Sequence, residues 1–380
     1  MPWQEVSTMQ LRREFVRLVE RGGEVRPLCR RFGISPSTAS KWLARYRAGA
    51  DLADQSRRPH QSPTRTQATV EAQVLALRAK HPAWGARKLR RRLLDQGHIM
   101  PATSTVHAIL QRHGCISAAA SEATKPFRRF VHAAPNDLWQ MDFKGHVAMR
   151  NRRCHPLTVL DDHSRFSVCL AACGDEMLET VRGHLIATFR RYGLPQRMTM
   201  DNGSPWGDTN HGGFTALEVW LMKQRIQVRH SRPYHPQTQG KDERFHRTLN
   251  VELLQGVVHE DLAHAQRDFD AWRDIYNQER PHEALDLAVP ASRYGASTRE
   301  YCESPSPPEY ADPKCVRRIA EGGLLYWRGR IYRVGKAFIG EPVEVRPTTV
   351  ERLADVYWST TRIAQLDVID HTSISGRRLP

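Results

Sequence analysis

Across residues 137–253 the hydrophobic pattern changes period repeatedly, and this constrains the fold more than any other feature of the chain. Apolar residues alternate or run together in 137-DLWQMDFKG-145, in 156-PLTVLDDHSRFSVCLAA-172 with a turn at Asp162-His163-Ser164-Arg165, in 196-QRMTM-200 and in 226-IQVRHS-231. Helical spacing takes over in 176-EMLETVRGHLIATFRRYG-193, in 214-FTALEVWLMKQR-225 and from Gly240 onward. The order is therefore strand, strand, strand, helix, strand, helix, strand, helix.

Three acids stand out against this pattern. Asp142 lies inside a short apolar strand, where an unpaired carboxylate costs free energy unless something positive binds it. Asp201 opens 201-DNG, where a buried strand gives way to a Gly-containing loop, and acids so placed project from the sheet edge toward a ligand. The stretch 235-HPQTQGKDERFHR-247 offers two neighbours, Asp242 and Glu243. At about 100° per residue, Asp242 falls in line with Phe245, Leu249 and Leu253, the stripe expected to face the core. Glu243 shares another side with His246, Arg247 and Asn250, the side that a phosphate backbone and metal ions can reach. Asp242, in the first turn, is expected only to favour the helix dipole. Asp161 and Asp162 are expected to be structural, because strand neighbours point to opposite faces and Asp162 is a good turn former.

A chain of 380 residues is too long for one ordinary core. No apolar run reaches the roughly 18 to 20 residues of a membrane span, and MPWQEVSTMQ lacks the apolar core of a signal peptide, so a cytoplasmic protein is expected. Seven scattered cysteines argue against a disulfide framework, and Cys169 and Cys173 read as buried strand residues rather than zinc ligands. The net charge of +16 is concentrated: residues 1–130 hold 24 Lys and Arg against 9 Asp and Glu, which leaves only +1 for the other 250. Such a segment points to a polyanion, most commonly nucleic acid.

Within that basic third, 25-VRPLCRRFGISPSTASKWLARYR-47 predicts a helix stopped by Gly33, then Ser35 as N-cap and Pro36 at the first position of a second helix. Ala39, Trp42, Leu43 and Tyr46 form its buried face, which leaves Ser37, Ser40, Lys41 and Arg45 to meet DNA in a helix-turn-helix arrangement. After the segment 54-DQSRRPHQSPTRTQ-67 comes a second such unit. Its helix 83-AWGARKLRRRLLDQG-97 carries Arg87, Lys88 and Arg91 as candidate DNA contacts, with a solvated basic face as the plainer alternative, and TVHAILQRHG follows. At the other end, 324–348 and 350–368 alternate over five or so short strands after the linker-like 302-CESPSPPEYADPK-314.

The motifs LWQMDF, MDNGSPWG and RPYHPQTQGKDERFHRTL, with 276-YNQERPHEAL-285 downstream, resemble the ribonuclease H-like core of retroviral integrases and bacterial insertion-sequence transposases. The resemblance implies a mixed five-stranded α/β sheet with flanking helices and assigns a catalytic, metal-binding triad to Asp142, Asp201 and Glu243. It also implies a small SH3-like β-barrel at the C-terminus. Three converging carboxylates repel one another unless divalent cations neutralise them, and oxygen ligands select Mg²⁺ or Mn²⁺, two ions serving in-line phosphoryl transfer. His235, Gln237, Gln239 and Lys241 are expected either to line the DNA or to shape the loop before the catalytic helix, and His246 and Arg247 to face the DNA. Between Asp201 and Glu243 lie 41 residues, more than in retroviral integrases, and 203-GSPWGDTNHGG-213 with Trp206 is expected to be a mobile, DNA-touching insertion.

The expected organisation is a helix-turn-helix domain over 1–55, a linker over 56–67, a second helix-turn-helix or winged-helix domain over 68–125, the core over 126–295, a linker over 296–315 and the barrel over 316–380. The function implied is a DNA transposase acting on double-stranded DNA as a homo-oligomer, a dimer or tetramer, within the nucleoid. A transposase-derived transcriptional regulator is the alternative; a ribonuclease or resolvase with this core fits the basic N-terminal third less well.

Overall fold

A computed structural model describes residues 7–54, 66–116, 132–150, 152–201, 203, 206, 213–230 and 240–375. Two compact units result, 1–65 and 66–380. The first holds α1 (Thr8–Glu20), α2 (Val25–Phe32) and α3 (Pro36–Arg47) around Phe15, Val16, Cys29, Trp42 and Leu43. Sequence periodicity did not predict α1, whose charged residues leave only Phe15 and Val16 fully buried; a reciprocal Ser7/Gln10 capping box starts it. Gly33 ends α2 in the left-handed region, and Ser35 Oγ accepts from the Thr38 N–H at 3.1 Å to start α3. Tyr46, expected on the buried face, is 50% exposed.

In the second unit, α4 (Ala68–Lys80), α5 (Ala86–Asp95) and α6 (Thr103–Arg112) pack around Val74, Trp84, Leu89, Val106, Ile109 and Leu110. No strand occurs among the described residues of this segment, so a wing is not seen there. Ile275 packs onto the bundle, and Arg92 pairs with Glu279 at 2.7 Å, which docks it against the sheet domain.

The sheet comprises β1 (Leu138–Phe143), β2 (Val147–Ala148), β3 (Arg153–Asp161), β4 (Ser167–Cys173), β5 (Arg197–Met200) and β6 (Gln227–His230). β3 lies between β1 and β4, antiparallel to both, while β5 runs parallel to β1 and β6. The sheet is mixed, and the two-residue β2 on β3 is a sixth strand beyond the five expected. Period-two alternation splits its side chains between two cores. Trp139, Met141, Leu157 and Val159 meet α7 (Leu178–Tyr192) and α8 (Ala216–Lys223). Leu160 and Leu170 instead meet α9 (Gly240–Leu249) and α10 (Leu262–Gln278), through Phe245, Leu249, Phe269 and Trp272. Asn277 fastens α10 to β4, its side chain bonding both the N–H of Ser167 at 2.8 Å and its carbonyl at 3.0 Å.

Residues 296–303, expected as linker, run along the core. The Arg299 guanidinium donates to the Gln224 and Arg225 carbonyls at 3.1 and 2.8 Å, and the Ser297 N–H donates to Tyr192 O at 2.8 Å. Beyond them lie seven strands: β7 (Val316–Arg318), β8 (Leu324–Trp327), β9 (Arg330–Arg333), β10 (Pro342–Pro347), β11 (Leu353–Trp358), β12 (Thr361–Asp367) and β13 (Thr372–Ser375). They form a five-stranded sheet ordered β13-β12-β11-β10-β7 and a separate β8–β9 hairpin, without a closed barrel among the described residues. Their core takes in Val219 of α8, with Phe214 and Met222 packed against it. All seven cysteines are free thiols, with Cys169 and Cys173 buried in β4. No helix among the described residues is long and apolar enough to cross a membrane.

Candidate active site

Parallel pairing of β1 and β5 matches Gln140 with Thr199, and the same register carries Asp142 to the level of Asp201 at the carboxyl ends of adjacent strands. Burial raises the Asp142 carboxyl to about 7, with Asp201 adding to the shift and the Phe143 N–H opposing it. Burial also raises Asp201, opposed by the Gly203 N–H and by His230. Glu176, whose carboxylate holds His155 Nδ1 at 2.7 Å, adds negative potential at both aspartates. Two carboxylates held where both resist ionising fit a divalent cation, which would relieve their repulsion.

On β1, Asp142 points to the face covered by α9, and two polar clasps set that helix against it. One is the buried Lys241–Asp162 ion pair; Asp162 also accepts from the His132 N–H and the Gln140 amide, both at 2.9 Å. The other is His246, whose Nε2 meets Thr158 Oγ1 at 2.8 Å. Thr158 gives its single hydroxyl proton to Asp142 O at 2.9 Å, so Nε2 carries the ring proton and Nδ1, 4.0 Å from Asp142 Oδ2, is bare. Burial lowers His246 to about 4, which keeps it neutral near pH 7. Glu243 lies one helical turn before His246 and is exposed, whereas Asp242 is 2% exposed. Burial first, then Asp142 and Asp162, raises Asp242 well above the usual carboxylate range; its place is on the core side of α9, beneath the site. No three His, Cys, Asp or Glu side chains among the described residues converge on one point.

Asp161 and Asp162 are both buried anchors. Asp161 accepts from Asn136 N at 2.7 Å and from Ser164 N and Oγ at 2.8 and 2.6 Å, which closes the turn.

Several residues expected at the DNA are held by the protein instead. Lys241 gives its ammonium to Asp162, His246 is clasped by Thr158, and Arg45 donates to Ala53 O at 3.1 Å while lying over the Trp42 ring. Lys88 is turned toward the core domain, and burial, with Arg280 close by, lowers it to about 8. Arg91 pairs with Asp95 at 2.8 Å. Ser37, Ser40, Lys41, Arg87 and Arg247 are exposed, and His235, Gln237 and Gln239 lie outside the described residues. Trp206 reverses its expectation: it is 2% exposed and stacks on Phe143 with ring centroids 5.2 Å apart, as core rather than DNA contact.

Sequence reasoning missed Thr158, Glu218 and His230, which lie among the strands and helices around the acids. Polar residues inside otherwise apolar segments were the available signal. His230 Nδ1 donates to the Asp201 carbonyl at 2.6 Å, and its Nε2 lies 2.9 Å from the buried Glu218 Oε1. Gly203 lies close against the site, since a Cβ there would stand 3.1 Å from Asp201 Oδ2 and push that carboxylate by a few tenths of an ångström.

Residues 132–236 match the integrase core domain, and 224–290 match a second integrase core domain family. Residues 11–60 match a helix-turn-helix domain, 38–110 a homeodomain-like domain, and 314–373 the C-terminal domain of IS481 family transposases. A 31.7 kDa protein of insertion element IS407 from Burkholderia multivorans is 29% identical over 174 residues, 46% of this chain and 60% of the relative. A 39.2 kDa protein of insertion element IS476 from Xanthomonas euvesicatoria is 25% identical over 247 residues, 62% of this chain and 67% of the relative. The match thus spans about 60 to 67% of the length of these two relatives. Among solved structures, the catalytic core domain of BIV integrase is similar at 22% identity and TM-score 0.32, covering 41% of this chain and 92% of that one.

Proposed function

We propose that this chain, by its matched domains a bacterial insertion-sequence transposase with N-terminal helix-turn-helix units, cuts DNA at the ends of its element and joins the freed 3′ ends to a target. The observation that carries the activity is the pairing of Asp142 and Asp201 on adjacent parallel strands, both held above the usual carboxylate range.

In this reading the two aspartates are the preassembled half of a ligand set and the exposed Glu243 completes it from α9. Divalent ions, Mg²⁺ or Mn²⁺ and two in number, would supply the positive charge that activates an attacking oxygen and stabilises the leaving one. The chain's part is to hold the carboxylates in place. Asp142 is fixed through its backbone by Thr158, and the Lys241–Asp162 pair sets the start of α9 and hence the position of Glu243. His246, neutral and donating through Nε2, keeps positive charge away from Asp142, which leaves that carboxylate free for a cation.

Ser37, Ser40 and Lys41 in the first helical unit and Arg87 and Arg247 in the second unit are the exposed residues we assign to DNA. We read 1–55 and 68–125 as the two DNA-binding domains, 126–295 as the core, and 316–380 as an SH3-like module. Pairing two DNA ends calls for at least two copies of the chain, acting on the nucleoid in the cytoplasm.

The test is cleavage and strand transfer on DNA carrying the element's ends, with Mg²⁺. Asp142→Asn and Glu243→Gln are expected to abolish both reactions while retaining end binding; cleavage surviving in either variant refutes the assignment.

A further inference from the structure

The polar groups around Asp201 form a circuit that closes on itself. From the carboxylate, Oδ1 accepts the Gly203 N–H at 3.0 Å, and the Trp206 N–H donates to Gly203 O at 2.9 Å. Thr215 Oγ1 then donates to Trp206 O at 3.3 Å, and its N–H donates to Glu218 Oε2 at 2.7 Å as half of the capping box that starts α8. Glu218 Oε1 faces His230 Nε2 at 2.9 Å, and His230 Nδ1 returns to the carbonyl of Asp201 at 2.6 Å. The β5–β6 ladder makes this return possible, because it pairs His230 with Met200, the residue before Asp201. Side-chain exposure is 7% for His230 and 2% for Glu218, so water does not compete for these bonds.

Both ring nitrogens of His230 meet oxygens that accept, a carbonyl on one side and a carboxylate on the other. Each nitrogen is thus held by a buried partner, which fixes the ring between the Asp201 backbone and α8.

We infer that His230 and Glu218 are positioning residues for the site: through the Asp201 backbone and the bonds joining Thr215, Trp206 and Gly203 they fix the direction in which the Asp201 carboxylate meets a cation. This rests on the metal-dependent reading above. Groups that orient a ligand from behind typically change metal affinity about 10- to 100-fold when removed. An orientation role also separates the two sides of the ring: the bond to Asp201 comes from Nδ1 and needs only a donor, so an asparagine amide at 230, whose Nδ2 stands where Nδ1 does, can replace it.

Mn²⁺ binding to the full chain, followed by the loss of the free-ion electron paramagnetic resonance signal, provides the test without turnover. His230→Ala and Glu218→Gln are expected to weaken Mn²⁺ binding about tenfold, with end-DNA affinity unchanged. His230→Asn should recover most of the loss, and its folding is checked by thermal unfolding alongside Glu218→Gln, which preserves side-chain volume. Mn²⁺ affinity equal to wild type in folded His230→Ala or Glu218→Gln overturns the inference while leaving the function standing. Failure of His230→Asn to recover binding overturns the donor role. Wild-type protein that binds no Mn²⁺ refutes the metal-dependent reading itself.

Discussion

Replacing Asp142 by Asn should make the metal-free protein more stable, because the fold holds this carboxyl where it resists ionising. Its value rises from 3.8 to about 7 on folding. A group raised in this way favours the fold fully below its unfolded value, and that contribution is lost as pH climbs through the folded value. The window therefore runs from about pH 4 to pH 7, with the full penalty present above it. Three units at about 1.4 kcal/mol each set a ceiling near 4 kcal/mol. The side chain is 26% exposed, and solvent there reduces the figure to about 2 kcal/mol. Asparagine removes the charge and keeps an oxygen for the Phe143 N–H. For a domain of this size about 2 kcal/mol corresponds to roughly 4–8 °C. Thermal unfolding in EDTA at pH 8 should show Asp142→Asn melting higher by that amount, with the gap closing near pH 4. Added Mg²⁺ should then raise the wild type more than the variant. A variant no more stable than wild type at pH 8, or a gap that persists at pH 4, would refute the account of a strained, ion-ready carboxylate.

The two acids at the head of α9 should separate in a cleavage assay: Glu243→Gln inactive, and Asp242→Asn retaining most activity because Asp242 is buried on the core side of the helix with Phe245 and Leu249. Equal loss in both would show that Asp242 works in its charged form. Lys241→Met should cost about 3 kcal/mol in urea unfolding by stranding Asp162, yet leave the salt dependence of DNA binding unchanged. A shallower slope would return Lys241 to the DNA. Arg247→Ala, by contrast, should reduce the log–log salt slope by about 0.9, the signature of one lost phosphate contact; an unchanged slope removes Arg247 from the interface.

The core was legible wherever periodicity and local geometry decide structure. The strand order, the turn at Asp162, the Gly33 stop and the burial of Asp242 beside Phe245 and Leu249 all follow from spacing alone. Charge was a poorer guide. A lysine or arginine in a sequence carries no mark of which distant residues it will meet: Lys241 finds Asp162 across 79 residues, and Lys88 is turned toward Arg280, far along the chain. Trp206 misled for a related reason, since glycines around an aromatic suggest a loose loop, while Phe143 offers it a stacking partner that only the folded sheet reveals. His230 and Glu218 were passed over because a polar residue inside an apolar segment does not name its partner until β6 and α8 bring the two together.

Helix α8 belongs to two cores at once. Leu217 and Leu221 pack under the sheet, Val219, Phe214 and Met222 pack among the C-terminal strands, and Glu218 reaches His230. Exchange of C-terminal modules between related chains, which domain boundaries would place near residue 300, therefore has a hidden cost. A transplanted module must match the outer face of α8 or it disturbs a helix that reaches the Asp201 backbone through His230. The seam along which such chains can be recombined follows the two sides of one helix, so the C-terminal strands and α8 are expected to change as a single inherited block.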